Sequence, residues 1–253
     1  MVTGTSMKTV LIVGGRGGVG RVLAERLTAR GVRVALVGRG VAPEGLPEGA
    51  TWIVADASTA DGAAHAVAAA TEVFGAPPDS LVNAAGSILI APIARTSEAQ
   101  YRETLAANLD TAFFLSQAYV AALQKAKRGG AIVLFSSVAA RVGLANHAAI
   151  AIAKAGVEAL VRSLAADVSA QGIRINAIAP GLLDTPLGGR FLSSEPMREQ
   201  MAAQYPLGRV GTAEDAAALA EFLLSDVAAW ITGQVIGLDG GFTAVRPPVR
   251  KAS

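Results

Sequence analysis

The chain has 253 residues, 52% hydrophobic and 17% charged, with a formal net charge of +2; that suits one α/β domain with a large core, or at most two small domains, and its scattered basic residues give nucleic acid no stripe to grip. It has no cysteine and only two histidines, His65 and His147, which excludes a disulfide framework, a thiolate zinc centre and an all-histidine metal cluster. Mean hydropathy is positive, yet no apolar run reaches the ~18–20 residues of a membrane span, so a soluble cytoplasmic protein is expected.

Residues 1–7 read as an N-terminal extension and not as a signal peptide, because their apolar content is low and a strand follows at once. KTVLIV (8–13) reads as a buried strand, and VGRVLAERLTARG (19–31) as a helix closed by Gly31. Between them GGRGGVG places Gly14, Gly18 and Gly20 in the spacing G-x-x-x-G-x-G, with Arg16 and Val19 in the same turn. Glycine there permits a tight turn and close approach of a pyrophosphate to backbone N–H groups at a helix N-terminus. A glycine-rich turn alone is weak evidence, but one that opens a βαβ unit points to a nucleotide.

The second strand, VRVALVG (32–38), ends at Gly38, where an acidic residue would hold a ribose 2′-hydroxyl; Arg39 follows. With Arg16 and Arg39 near that point and no carboxylate, a 2′-phosphate is favoured, hence NADP(H) over NAD(H). The other reading of Arg39 is a solvated loop arginine. Further strands are expected at ATWIVAD (50–56), SLVNAAG (80–86), AIVLFSS (131–137), GIRINAIAP (172–180) and GQVIGLDGG (233–241), with helical patterns at 59–74, 97–127, 147–171 and 212–225. Strands alternating with helices require crossover connections. The expectation is an α/β fold: a single Rossmann-type doubly wound domain over 8–245, with a seven-stranded parallel sheet and helices on both faces. Residues 186–206 are a long polar interruption after the sixth strand, placed as a substrate lid. The tail 246–253 is expected to be flexible.

HAAIAIAKAGVEAL (147–160) carries one lysine, Lys154, on an apolar helical stripe. A buried amine requires a partner. Ile150 at i−4 offers none, and Glu158 at i+4 could form an ion pair with it.

Together these segments resemble the short-chain dehydrogenase/reductase family over about 8–242. GGRGGVG resembles T-G-x-x-x-G-x-G, with Val13 in place of the threonine. Asp56 and Ala57 resemble the adenine contact after the third strand, and Asn83, Ala84, Ala85 and Gly86 resemble N-N-A-G beside the cofactor. NAIAPGLLDTP resembles N-x-x-x-P-G-x-x-x-T, which implies that Pro180, Gly181 and Leu183 line the nicotinamide and that Thr185 contacts its carboxamide or the pyrophosphate. Asn108 falls at the family's helix-bending asparagine, Ser137 at its active-site serine, and Lys154 at the lysine of Y-x-x-x-K. The resemblance implies that Lys154 holds the nicotinamide ribose, Ser137 the substrate oxygen, and Asn108 a proton-carrying water. It also implies subunit packing through residues 206–241, in a homodimer or homotetramer.

The tyrosine of Y-x-x-x-K would be residue 150, which is isoleucine. A phenol with its pKa lowered by an ammonium suits proton transfer, and Ile150 cannot do it. His147 stands seven before the lysine, where enoyl reductases of the wider family place their tyrosine; its other reading is a helix-start histidine at the mouth of the site. Tyr205 could swing over the site or pack as an anchor, while Tyr101 and Tyr119 read as core or subunit-contact residues. Three functions stay open: an NADP-dependent oxidoreductase with unusual proton handling, a non-redox isomerase, dehydratase or cyclase on the same scaffold, and an inactive subunit paired with an active homologue in a mixed oligomer. Leu187, Phe191, Leu192, Met197 and Met201 beside Arg190 and Arg198 suit an apolar small-molecule substrate with an anionic handle. No metal is expected.

Overall fold

The computed structural model describes residues 7–246, so the expected extension and tail lie, but for Met7 and Arg246, outside the described residues. The β-branched and leucine-rich runs form β1 (Thr9–Val13), β2 (Arg33–Gly38), β3 (Thr51–Val54), β4 (Ser80–Asn83), β5 (Gly130–Phe135), β6 (Ile173–Pro180) and β9 (Val235–Leu238). They make one parallel seven-stranded sheet in the order β3-β2-β1-β4-β5-β6-β9. Val10 to Val13 and Val34 to Val37 are buried at successive positions because helices cover both faces. Helices α1 (Gly18–Thr28) and α7 (Ala213–Leu224) pack on one face against Val10, Ile12 and Leu36. Helices α2 (Ala60–Phe74), α4 (Thr111–Ala126) and α5 (Ala148–Val168) cover the other, against Leu11, Leu81 and Ile132. Alanine does much of this packing: Ala63, Ala66 and Ala70 line the inner stripe of α2 and let it lie close to the sheet.

Strand order reverses between β1 and β4, where Val13 pairs with Asn83. The two chain ends leaving those strands separate there and open a crevice, the usual ligand position of such sheets.

β2 and β3 are joined by turns across 39–50, a stretch for which no helix is expected. Two features depart from the expected elements. The 97–127 helix is interrupted: α3 (Glu98–Leu105) passes through a π-helical turn (Ala106–Asp110) into α4. There Asn108 Nδ2 donates to Thr104 O at 2.9 Å and Thr111 Oγ1 to Ala106 O at 2.8 Å, so side chains compete with the regular backbone ladder. Finally, two short strands, β7 (Leu183–Asp184) and β8 (Gly211–Thr212), pair in parallel and clamp the neck of the 186–206 segment, which holds α6 (Glu195–Ala202). Among the described residues no helix is long and apolar enough to cross a membrane, and no group of His, Asp and Glu side chains could hold a metal ion.

Candidate active site

The glycine loop lies at the mouth of the crevice. Gly14 has φ +91°, and a Cβ there would sit 2.6 Å from the Ala85 amide nitrogen. A Cβ on Gly20 would meet Gly14 O at 2.5 Å, and one on Gly18 would meet Thr185 Cβ at 2.9 Å. The loop, the chain leaving β4 and Thr185 are thus drawn together only because these positions carry no side chain. Helix α1 has Gly17 at its N-cap with no side-chain cap and no acidic residue in its first turn. Its leading N–H groups therefore suit an anion. Gly14→Ala is expected to lower stability by about 1–3 kcal/mol and to weaken nucleotide binding, as read by a thermal melt and a titration.

At the outer end of β2 the backbone of Gly38 lies under the Trp52 ring. Arg16 lies over that ring, 5.5 Å from its centroid, and donates to Val41 O. Arg39 is exposed. Asp56 accepts from Ser58 Oγ at 2.7 Å and Ser58 N at 3.1 Å; these bonds, helped by the charge of Arg39, hold its carboxyl below the usual range.

Deeper in the crevice Lys154 is buried and donates from Nζ to Phe135 O at 2.8 Å. Burial lowers its amine to a pKa of about 8. A Cβ on Gly86 would approach Nζ at 3.5 Å and Asn108 Oδ1 at 2.8 Å, so Gly86 keeps open the space that these two side chains face. Asn108 is buried and held on three sides: by Thr104 O, by Ser87 Oγ, which accepts from its Nδ2 at 3.2 Å, and by Ser87 N, which donates to its Oδ1 at 3.3 Å. Ser137 follows β5 and its Oγ accepts from Ala139 N at 3.2 Å. Ile150 is 4% exposed and one helical turn from Lys154 on the inner face of α5. His147 occupies the N-cap of α5, with Nδ1 2.6 Å from Ala145 O. It lines an apolar cleft of about 480 Å³ with Ile93, Val142, Leu144 and Ala151.

Neither Tyr119 nor Tyr205 is free to reach the substrate. Tyr119 is fully buried and donates to Pro78 O at 2.9 Å, and burial raises its pKa. The Tyr205 hydroxyl accepts from Leu182 N at 2.7 Å, and its ring packs on Phe242 with centroids 5.4 Å apart. It is the anchor of the 186–206 segment. Arg190 ties that segment to Ile88 O, beyond β4, at 3.0 Å, and Arg198 pairs with Asp184 at the segment's own neck at 2.6 Å.

The family model described as enoyl-(acyl carrier protein) reductase matches residues 13–243. The chain is 37% identical over 247 residues to the L-rhamnose 1-dehydrogenase (NAD(P)(+)) of Azotobacter vinelandii, covering 92% of this chain and 96% of that one. The chain belongs to the short-chain dehydrogenase/reductase family. A short-chain type dehydrogenase/reductase from Mycobacterium ulcerans superposes with a TM-score of 0.87 at 32% identity, covering 96% of this chain and 92% of that one. ElxO, solved with NADP bound, gives 0.87 at 25% identity over 94% of this chain and 100% of its own.

For a short-chain dehydrogenase/reductase chain the layout has one clear correction to the sequence reading: Lys154 and Glu158 are not partners. The Lys154 amine turns to Phe135 O, while Glu158 accepts from Ser136 Oγ at 3.0 Å and Arg141 Nε at 3.1 Å. Both residues face the end of β5, where backbone and hydroxyl partners replace the pair that i,i+4 spacing suggests. Sequence reasoning also passed over Ser136, Arg141 and Trp52. An acid, Glu158, on the otherwise apolar stripe of the helix that follows the Ser136–Ser137 doublet was the available signal for the first two.

Proposed function

We propose that this chain is a cytoplasmic NADP(H)-binding oxidoreductase acting on an apolar small molecule, with Ile150 standing where the family has its catalytic tyrosine. The observation that carries the reading is Lys154: a buried amine with one hydrogen bond among the described residues, aimed past Gly86 at the crevice, beside a hydrocarbon. The residues fit the nucleotide, because the glycine cradle admits a pyrophosphate and the spare protons of Lys154 suit ribose hydroxyls. Gly14, Gly18, Val19 and Gly20 hold the diphosphate; Arg16 and Arg39 the 2′-phosphate; Asp56 and Ala57 the adenine. Asn83, Ala84, Ala85 and Gly86 line one wall, and Pro180, Gly181, Leu183 and Thr185 the nicotinamide side.

The bound nucleotide supplies or accepts a hydride. Ser137 donates to the substrate atom on which charge develops. Asn108, fixed in the π-turn, orients water beside Lys154. With no phenol at residue 150, acceptors that develop no alkoxide there are favoured, such as an iminium or an activated C=C. For an activated C=C, His147 at the cleft edge would give the proton that the carbanion left by hydride addition requires; an iminium requires none. The apolar cleft and the lid residues Leu187 and Phe191 favour an apolar substrate, and Arg190 an anionic group on it.

Exposed Val227 and Trp230 in the C-terminal segment, and Phe113 and Ile152 on α4 and α5, support packing as a homodimer or homotetramer. The same faces would serve an inactive subunit in a mixed oligomer. Titration with NADPH and NADH should show NADPH binding about tenfold tighter or more. A panel of ketones, iminium ions and enones should then show nicotinamide oxidation with the latter two, and the enone rate should fall by about 10²-fold in Ser137→Ala. Product without nicotinamide change would favour an isomerase, dehydratase or cyclase. Co-purification with a tyrosine-bearing homologue and no turnover alone would favour the inactive subunit.

A further inference from the structure

We propose that Trp52 sets the nucleotide preference of this chain; the proposal rests on the NADP(H) reading above and adds the residue that enforces it. In the sheet Trp52 pairs with Leu36, and Gly38 lies two residues further along β2 on the same face. The indole covers Gly38 so closely that a Cβ would lie 2.5 Å from Cη2 and 2.7 Å from Cζ2. The ring is held between strand and loop, so no side chain fits at residue 38 while it stays. That is the position from which an acidic residue would take the ribose 2′-hydroxyl of NAD(H).

The same indole builds the alternative. Its Nε1–H donates to Gly40 O at 3.0 Å and fixes the turn after β2. Gly40 has φ +78°, and a Cβ there would still lie 3.8 Å from Arg16 Nη2, so the turn leaves the guanidinium room. Arg16 lies on the ring face, 5.5 Å from its centroid, and donates to Val41 O. Arg16 spends one donor on that carbonyl and has others left for an anion. One side chain thus removes the site for a carboxylate and seats an arginine beside Arg39, where a 2′-phosphate would be held.

The test is direct binding of NADPH and NADH to the intact chain, with melts run in parallel. Trp52→Ala is expected to weaken NADPH by about 3–10-fold and to change NADH by less than about twofold. Trp52→Phe, which keeps a ring face and loses the N–H, should fall between, and it keeps the test open if the alanine variant does not fold. Arg16→Ala should match or exceed the Trp52→Ala loss, and the double variant should be no worse than Arg16→Ala, because the two act as one unit. Gly38→Asp alone should lower the melting temperature without improving NADH binding, whereas Gly38→Asp with Trp52→Ala should gain it. Equal losses for both nucleotides in the Trp52 variants, or NADH binding gained by Gly38→Asp with Trp52 present, would overturn the proposal. A wild-type chain that binds neither nucleotide would instead overturn the reading beneath it.

Discussion

Ile150→Tyr is expected to raise the rate of simple-ketone reduction with NADPH by about 10²–10⁴-fold, or roughly 3–5 kcal/mol of transition-state stabilisation. Residues 150 and 154 are one turn apart on the inner face of α5, and both are buried. A phenol introduced at residue 150 would stand one turn from the Lys154 amine. A nearby ammonium favours the phenolate and brings the phenol from its usual pKa near 10 toward working pH. Ser137 and Asn108 already have fixed hydrogen bonds in the same crevice. The larger ring has a packing cost of about 1–3 kcal/mol in a filled site, so stability should drop while activity rises. Ile150→Phe separates the two effects: it adds the same ring without the hydroxyl and should lose stability with no gain in rate. The measurement is kcat/KM on a ketone panel for all three proteins. If the phenylalanine variant gains as much as the tyrosine variant, or if the wild type already reduces simple ketones quickly, proton donation is not what residue 150 withholds.

Much of this site was legible because its parts are local. The glycine spacing of Gly14, Gly18 and Gly20 follows from what one turn must do, and the alternation of buried strands with alanine-rich helices is written in period and composition. What was hidden depends on register between distant segments. Nothing in ATWIVAD places Trp52 over Gly38; the pairing of β2 with β3 does so. Glu158 has the right spacing to pair with Lys154, yet the end of β5 supplies closer partners for each. The π-turn at Asn108 was reached only through a family resemblance, since its cause is a set of side-chain bonds from Asn108 and Thr111 to particular carbonyls. β7 and β8 are two residues each, too short for any periodic pattern, and they form because the chain returns past Leu183. Local chemistry pointed to a nucleotide; tertiary register decides which side chains stand at the outer end of β2.

Lys154→Met is expected to stabilise the chain at neutral pH and to weaken NADPH binding by about tenfold or more. Lys154 is 7% exposed, and burial lowers its amine from 10.5 to a pKa of about 8. Below about 8 the amine is protonated in both the folded and the unfolded chain, and the folded chain carries the full penalty of a desolvated charge. Between about 8 and 10.5 the unfolded chain binds more protons than the folded one, so this residue's contribution to stability rises with pH across that window. The shift corresponds to a penalty of about 3 kcal/mol at neutral pH. Methionine removes it while keeping a flexible apolar chain in the same space. It also leaves Phe135 O without its donor, a loss of about 1 kcal/mol. The net gain of about 2 kcal/mol should raise Tm by several degrees, at about 2–4 °C per kcal/mol for a chain of this size. Melts of both proteins from about pH 7 to pH 11 check the sign: their difference should be largest at the lower end and shrink as the wild type gains stability through its window. Background groups titrate alike in the two proteins and cancel in that difference. Parallel curves, or a variant less stable at pH 7, would show that the buried amine is already compensated where it stands. Tight NADPH binding by the methionine variant would show that the strain of burying Lys154 is not kept for the nucleotide.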